Sequence, residues 1–204
     1  MGKLVCVLIG YLLGCWNPAA RLGKKKQVDL RQEGTKNLGA SNVTLVLGKK
    51  YGFMVMVLDI FKAYLASKLA RALFPKLALS GLLAGFGAVV GHVYPFHMKF
   101  RGGKGLAAFG GMVLAHDPMM FLMLLILTFV VMLIVDHSYI MPISAGFLFP
   151  VLAGIRSWNL GIFLVAAAAG ALVVVKHWSN IAKAKEGRER GMRETFKELL
   201  FGNR

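Results

Sequence analysis

Two cysteines in 204 residues leave no room for a disulfide framework. Cys6 and Cys15 share the first apolar run. Nine residues apart on one helix, they stand roughly 13 Å from each other, too far to bridge. They read as small apolar side chains. Acid is scarce as well: nine Asp and Glu stand against 25 Lys and Arg, for a formal charge of +16. His92 and His177 have neither Cys nor an acidic ligand to accompany them, so neither a metal nor another cofactor is expected. No internal repeat is evident, which removes support for an inverted-repeat transporter. There is no G-x-S-x-G nucleophile elbow. Arg101-Gly-Gly-Lys-Gly105 looks like a nucleotide P-loop by eye, but Gly105 stands where a Ser or Thr hydroxyl is required and no strand precedes it. The chain also lacks a soluble basic domain, so its charge is not that of a nucleic-acid binder.

What the chain has in excess is apolar sequence. It is 57% hydrophobic, with a mean hydropathy of +0.63. Several runs approach the ~20 residues that cross a bilayer as a helix. Spans are expected at 3–20, 52–74, 77–96, 104–116, 118–135, 139–155 and 159–177, seven in all, the fourth short. The expected class is all-α, a polytopic membrane helix bundle. It forms one domain over 1–204, whose polar tail begins at 178. A short amphipathic helix is plausible in that tail, with Phe196, Leu199, Leu200 and Phe201 as a weak apolar face.

Charge decides the expected orientation. Alternating the gaps between two faces places ten Lys and Arg of the early gaps, from Arg21 to Arg101, on one side. Seven more, from Lys183 to Arg204, join them there. The opposite face holds Lys3, Lys76 and Arg156. By the positive-inside bias the N-terminus lies outside and the C-terminus in the cytoplasm. Residues 4–16 resemble a signal-peptide core, and Leu12 to Cys15 faintly resembles a lipoprotein cleavage site. The basic cluster Arg21, Lys24, Lys25 and Lys26 opposes export, so an uncleaved first span is expected.

Gly81, Gly85, Gly87 and Gly91 in the third span, and Ala166, Ala169 and Gly170 in the last, suit close helix packing in lipid. Asp59 and Lys62 sit at i, i+3 within the second span. They read equally as a structural ion pair or as a substrate contact.

Three polar segments share the basic face. Glu33 to Asn42 holds glycines and asparagines that suit a tight loop opening toward a helix, where an anion can rest. Gly91 to Ala107 joins two apolar segments, yet carries two His, two Lys, one Arg and four Gly. Glycine lets backbone amides approach an anion, and Lys and Arg supply charge. His177 and Asn180 are three apart, on one face of a helix. Phosphate is the first ligand to suspect. Each segment alone also fits a bland reading: a solvated turn, a headgroup-facing loop, a capping histidine.

Together, in this order and spacing, the segments resemble the bacterial acyl-phosphate:glycerol-3-phosphate acyltransferases, the PlsY family. Thr35 to Asn42 is similar to a first motif S-G-N-x-G-A-[ST]-N. Gly91, His92, Pro95, Phe100, Gly102, Gly103, Lys104, Gly105 and Ala107 match a second. His177, Asn180, Ile181, Gly187 and Glu189 match a third. The chain departs from the pattern at Thr35-Lys36, at Leu45 and Lys183 (each replacing Arg), at Ala108 (replacing Thr) and at Met141, where Ser144 remains nearby. The acyltransferase signature H-x-x-x-x-D is absent, which disfavours an acyl-CoA enzyme of that type.

The resemblance implies a seven-helix bundle in the bacterial inner membrane, with its site facing the cytoplasm. It implies acyl transfer from acyl phosphate to the 1-hydroxyl of glycerol 3-phosphate. Lys104, His177 and Asn180 would be catalytic, with Lys104 and the Gly102 and Gly103 amides on phosphate. His177 and Asn180 would orient the acceptor or the reacting carbonyl, and the proton would go to His177 or to the donor's phosphate. Thr35, Asn37, Gly39, Asn42, His92, Gly102, Gly103, Gly105, Ser144 and Glu189 would bind substrate. The partners would be the two substrates and membrane lipid, and the chain would act as a monomer. Competing readings are a non-catalytic relative that binds phospholipid or acyl phosphate, and a small transporter for a phosphorylated solute.

Overall fold

The computed structural model describes residues 1–187 and 191–201; every regular element among them is helical. In chain order these are α1 (Gly2–Cys15), α2 (Pro18–Lys25), α3 (Ala40–Leu47), α4 (Lys49–Leu73), α5 (Ser80–Val93), α6 (Leu106–His116), α7 (Pro118–Val135), α8 (Ile140–Ser157), α9 (Leu160–Lys185) and α10 (Met192–Phe201). A 3-10 turn, Phe96–Met98, follows α5.

The first expected span is broken. Helix α1 ends at Cys15 with Trp16 as its cap; Asn17 caps α2, its Oδ1 accepting the Ala20 N–H at 2.8 Å, and Pro18 opens the new helix. Proline at a first helical position lacks only an N–H that would have been unpaired there. The break frees the Trp16 carbonyl, which accepts a bond from Lys62 Nζ at 2.7 Å. At the other end of the chain, α9 does not stop where the polar tail begins. It continues to Lys185, so the tail enters as helix. The expected apolar face of the tail helix, Phe196, Leu199, Leu200 and Phe201, involves side chains outside the described set.

Glycine sets the helix spacing. A Cβ on Gly10 or Gly14 of α1 would strike the backbone of Ala84 or Ala88 in α5, and one on Gly87 or Gly91 would strike Val7 or Tyr11 in return. Gly146 of α8 meets Gly170 of α9 in the same way. Without a hydrophobic drive between helices in lipid, such backbone contact is what holds them. The core then fills with Phe109, Phe149, Met112 and Val173, all buried. Outward faces of α4 and α7 expose Phe53, Phe61, Leu65, Met123, Ile126 and Val130. An apolar surface on that scale belongs against lipid.

Four segments are long and apolar enough to cross a membrane: Gly2–Lys25, Pro118–Val135, Ile140–Ser157 and Leu160–Ala182. Helix α6 has 11 residues, which is about 16 Å, half of a hydrocarbon core.

Candidate active site

The first polar segment wraps around one side chain. Asn42, fully buried, accepts the Thr35 N–H at 2.6 Å and donates to the Leu30 and Glu33 carbonyls at 2.9 and 3.2 Å. Its amide is thereby committed to shaping the loop, so its expected role as a substrate ligand is corrected to that of a structural staple. Gly34, with φ +58, is required where a Cβ would collide with that same amide. Thr35 is exposed and lies outside the cavity described below. Leu45, where the family pattern has Arg, is also exposed and outside it.

The second segment is clamped to the end of α5. Gly102 N–H donates to the Val93 carbonyl at 3.0 Å, and Gly103 N–H donates to the His92 carbonyl at 3.1 Å. The expectation that these two amides hold phosphate is corrected: both are already bonded to backbone. Their lack of side chains has another purpose. A Cβ on Gly102 would strike the His92 carbonyl, and one on Gly103 would strike the His92 ring. Gly105, at φ +89, then turns the chain into α6. Arg31 ties the first two segments together by donating to the Arg101 carbonyl at 2.8 Å.

The third segment rides on α9. His177 and Asn180 share a face there, as their spacing predicts. Lys104 Nζ donates to Asn180 Oδ1, joining the second and third segments. His177 Nδ1 lies 2.8 Å from the Val173 carbonyl. A carbonyl only accepts, so Nδ1 carries the proton and a neutral ring leaves Nε2 as an acceptor. Glu189 lies outside the described residues.

All three segments border one cavity of about 310 Å³. Asn37, Gly39, His92, Lys104, Gly105 and His177 line it, among the residues expected to bind or react. Gly39 is the N-cap of α3 and Gly105 that of α6, so two helix N-termini open here. The unpaired amides of a helix's first turn, and its dipole, favour an anion. Most of the remaining wall is apolar: Met56 and Ile60 of α4, Phe109 and Val113 of α6, Phe121 and Leu124 of α7.

Ser144 does not join this site. Its hydroxyl donates to the Ile140 carbonyl at 2.7 Å, and its neighbours Met141 and Ala145 line the cavity where Ser144 does not. Asp59 does reach it, while bonded within a buried cluster. Lys62 Nζ is 2.7 Å from Asp59 Oδ1 and 2.9 Å from His92 Nδ1, and Asp59, Lys62 and His92 are all nearly inaccessible. Ser41 and Thr128 also line the cavity. Sequence reasoning passed over both. Thr128 carried a signal: it is the one hydrogen-bonding side chain in the apolar run Pro118–Val135. No cluster of three or more His, Cys, Asp or Glu suited to a metal occurs among the described residues.

A cavity joining a cationic, amide-lined end to an apolar wall, inside a membrane helix bundle, defines a class: integral-membrane enzymes handling a phosphorylated head and a fatty tail. Comparison with known proteins narrows it. The glycerol-3-phosphate acyltransferase family model matches residues 4–187. The chain is 35% identical to the glycerol-3-phosphate acyltransferase of Aquifex aeolicus over 93% of its length and 98% of the relative's. It is 42% identical to that of Exiguobacterium sibiricum, over 90% of each chain. A crystal structure of PlsY, an integral membrane glycerol 3-phosphate acyltransferase in its glycerol 3-phosphate form, superposes with a TM-score of 0.88 at 32% identity, covering 98% of this chain and 100% of that one. Its lysophosphatidic acid form gives 0.84 at 31% identity, covering 94% and 95%. The chain belongs to the glycerol-3-phosphate acyltransferase family.

Proposed function

We propose that this protein moves a fatty acyl group from acyl phosphate to the 1-hydroxyl of glycerol 3-phosphate, releasing lysophosphatidic acid and phosphate. The observation that carries this reading is the Lys104–Asn180 bond at the rim of an apolar cavity. It sets a cation beside two helix N-termini, where two phosphorylated molecules are accommodated side by side. The apolar wall takes the acyl chain.

The acyl phosphate is already activated, so the protein chiefly positions two anions and neutralises developing charge. Lys104 and the first amides of α6 hold the donor's phosphate, and Asn180 keeps Lys104 aimed. Asn37 and the N-terminus of α3 face the acceptor's phosphate. The acceptor oxygen attacks the acyl carbon, a new ester C–O bond forms, and the bond from carbon to the phosphate oxygen breaks. His177 Nε2, with its lone pair toward the cavity, takes the hydroxyl proton and passes it to the departing phosphate.

The same reading sets the chain in the bacterial inner membrane with seven crossings, N-terminus outside and the site facing the cytoplasm. The cationic Arg21–Lys26 and Lys99–Arg101 stretches favour that polarity. The same reading has the chain act as a monomer. Purified protein given acyl phosphate and glycerol 3-phosphate will release phosphate only when the acceptor is present, and acyl-CoA will not substitute as donor. Acceptor-independent release, or equal use of acyl-CoA, overturns the proposal.

A further inference from the structure

The cluster beneath the site assigns a proton. Lys62 Nζ has three N–H donors and no acceptor. It meets three groups: the Trp16 carbonyl at 2.7 Å, Asp59 Oδ1 at 2.7 Å and His92 Nδ1 at 2.9 Å. Three donors and three acceptors match only if His92 Nδ1 is a lone pair. The contrary arrangement has His92 Nδ1–H donating to Asp59 Oδ1, which is farther off at 3.2 Å. It would face one N–H against another at the shorter distance, or strip the proton from an ammonium that touches a carboxylate. A doubly protonated ring would set a second cation against Lys62. The proton of His92 therefore sits on Nε2.

That nitrogen lies at the loop that carries Lys104. His92 lines the cavity, and its Nε2 lies against Gly103, the residue before Lys104. Among the described residues Nε2 has no hydrogen-bond partner of its own. We infer that His92 presents Nε2–H to the substrate phosphate as a fixed hydrogen-bond donor, and that Lys62 is the positioning residue that locks this tautomer. The inference rests on the acyl-transfer reading above and adds a function to it. The two cavity histidines are then opposite in kind. His177 has its Nδ1 proton on the Val173 carbonyl and offers a bare Nε2, whereas His92 offers a proton. One accepts from the attacking hydroxyl, and the other stabilises negative charge. Asp59 keeps Lys62 charged, and Trp16 couples the lock to the break between α1 and α2.

The test uses the full chain, labelled with 15N-histidine, in detergent micelles. Long-range proton–nitrogen correlations report which ring nitrogen carries hydrogen. His92 should be protonated at Nε2 and His177 at Nδ1, and inorganic phosphate should shift the His92 Nε2–H resonance. Lys62→Met keeps the apolar stem and leaves Asp59 a partner, because His92 can turn its proton to Nδ1. In that variant the His92 tautomer should reverse and kcat should fall about 100-fold, the usual effect of losing one such donor. His92→Gln, which retains an N–H near the Nε2 position, should outperform His92→Phe at least tenfold. Protonation of wild-type His92 at Nδ1, no response of its resonance to phosphate, or equal turnover of the Gln and Phe variants overturns the inference. If Lys62→Met does not fold, the wild-type spectra and the two His92 variants decide alone. An inactive wild type with the expected tautomers and phosphate shift instead strikes down the acyl-transfer reading and leaves the donor assignment standing.

Discussion

Lys104 donates to Asn180, 76 residues further along the chain. The bond crosses from the loop before α6 to the last turns of α9. It fixes a long, flexible cation at one place over the cavity, so the ammonium need not be ordered when the substrate arrives.

Removing either partner therefore separates charge from placement. Lys104→Ala should reduce acceptor-dependent phosphate release by at least about 100-fold, the scale of losing a main electrostatic stabiliser. Asn180→Ala should retain the charge and lose its aim, giving a smaller fall in kcat. Thermal unfolding of both variants should stay near wild type, since neither side chain is in the core. Unchanged turnover in Lys104→Ala removes that residue from the reaction.

Asn42 predicts the opposite profile. Its three bonds to Leu30, Glu33 and Thr35 shape a loop that it never leaves. Asn42→Ala should cost about 1–3 kcal/mol of stability, the penalty for stranding buried backbone partners. Unfolding measurements should register the loss before any change in kcat at saturating substrate. A variant as stable as wild type but unable to bind glycerol 3-phosphate would restore Asn42 as a direct ligand.

Gly103→Ala tests close packing rather than conformational freedom. The added methyl would collide with the His92 ring and the Leu38 carbonyl. Displacing the loop moves Lys104, so the KM for a phosphorylated substrate should rise severalfold or more. Gly2→Ala serves as the comparison, because its Cβ would meet Phe74 at an ordinary 3.6 Å, away from the cavity. The two variants should differ clearly in steady-state kinetics.

Asp117 carries a dependence on pH. Its carboxylate caps α7, accepting from the Met119 and Met120 amides at 2.9 and 3.0 Å, and Arg156 approaches at 3.1 Å. The Met120 N–H foremost, then Arg156, hold its pKa below the usual carboxylate range. A depressed folded-state pKa contributes stability that is full above the unfolded value of about 4 and lost as pH falls through the folded one. Asp117→Ala should lower stability by about 1 kcal/mol at neutral pH, the usual effect of losing a cap. Unfolding scans from pH 7 down to acid should show the variant and wild type converging. A constant gap across that range refutes the assignment.

The sequence by itself determined the class of fold. Apolar runs of near-spanning length leave no alternative to helices in lipid, because every backbone amide must be paired within its own segment. The run 118–135 matches α7 to the residue, bounded by Asp117 and Pro118, whose capping chemistry is local. The three motifs were legible for the same reason: glycine, lysine, histidine and asparagine at those spacings have few other uses between apolar segments. Tertiary structure alone decided which of them touch. Nothing in the local pattern reveals that Gly102 and Gly103 bond to α5, that Asn42 serves its own loop, or that Ser144 turns back on its helix. The first two depend on where the folded loops run; the last is a choice of rotamer that the sequence leaves open. The tautomers of His92 and His177 are the furthest case. That of His177 follows from the Val173 carbonyl one turn back on its own helix, whereas that of His92 follows from Lys62, a neighbour that only the folded packing brings within a hydrogen bond.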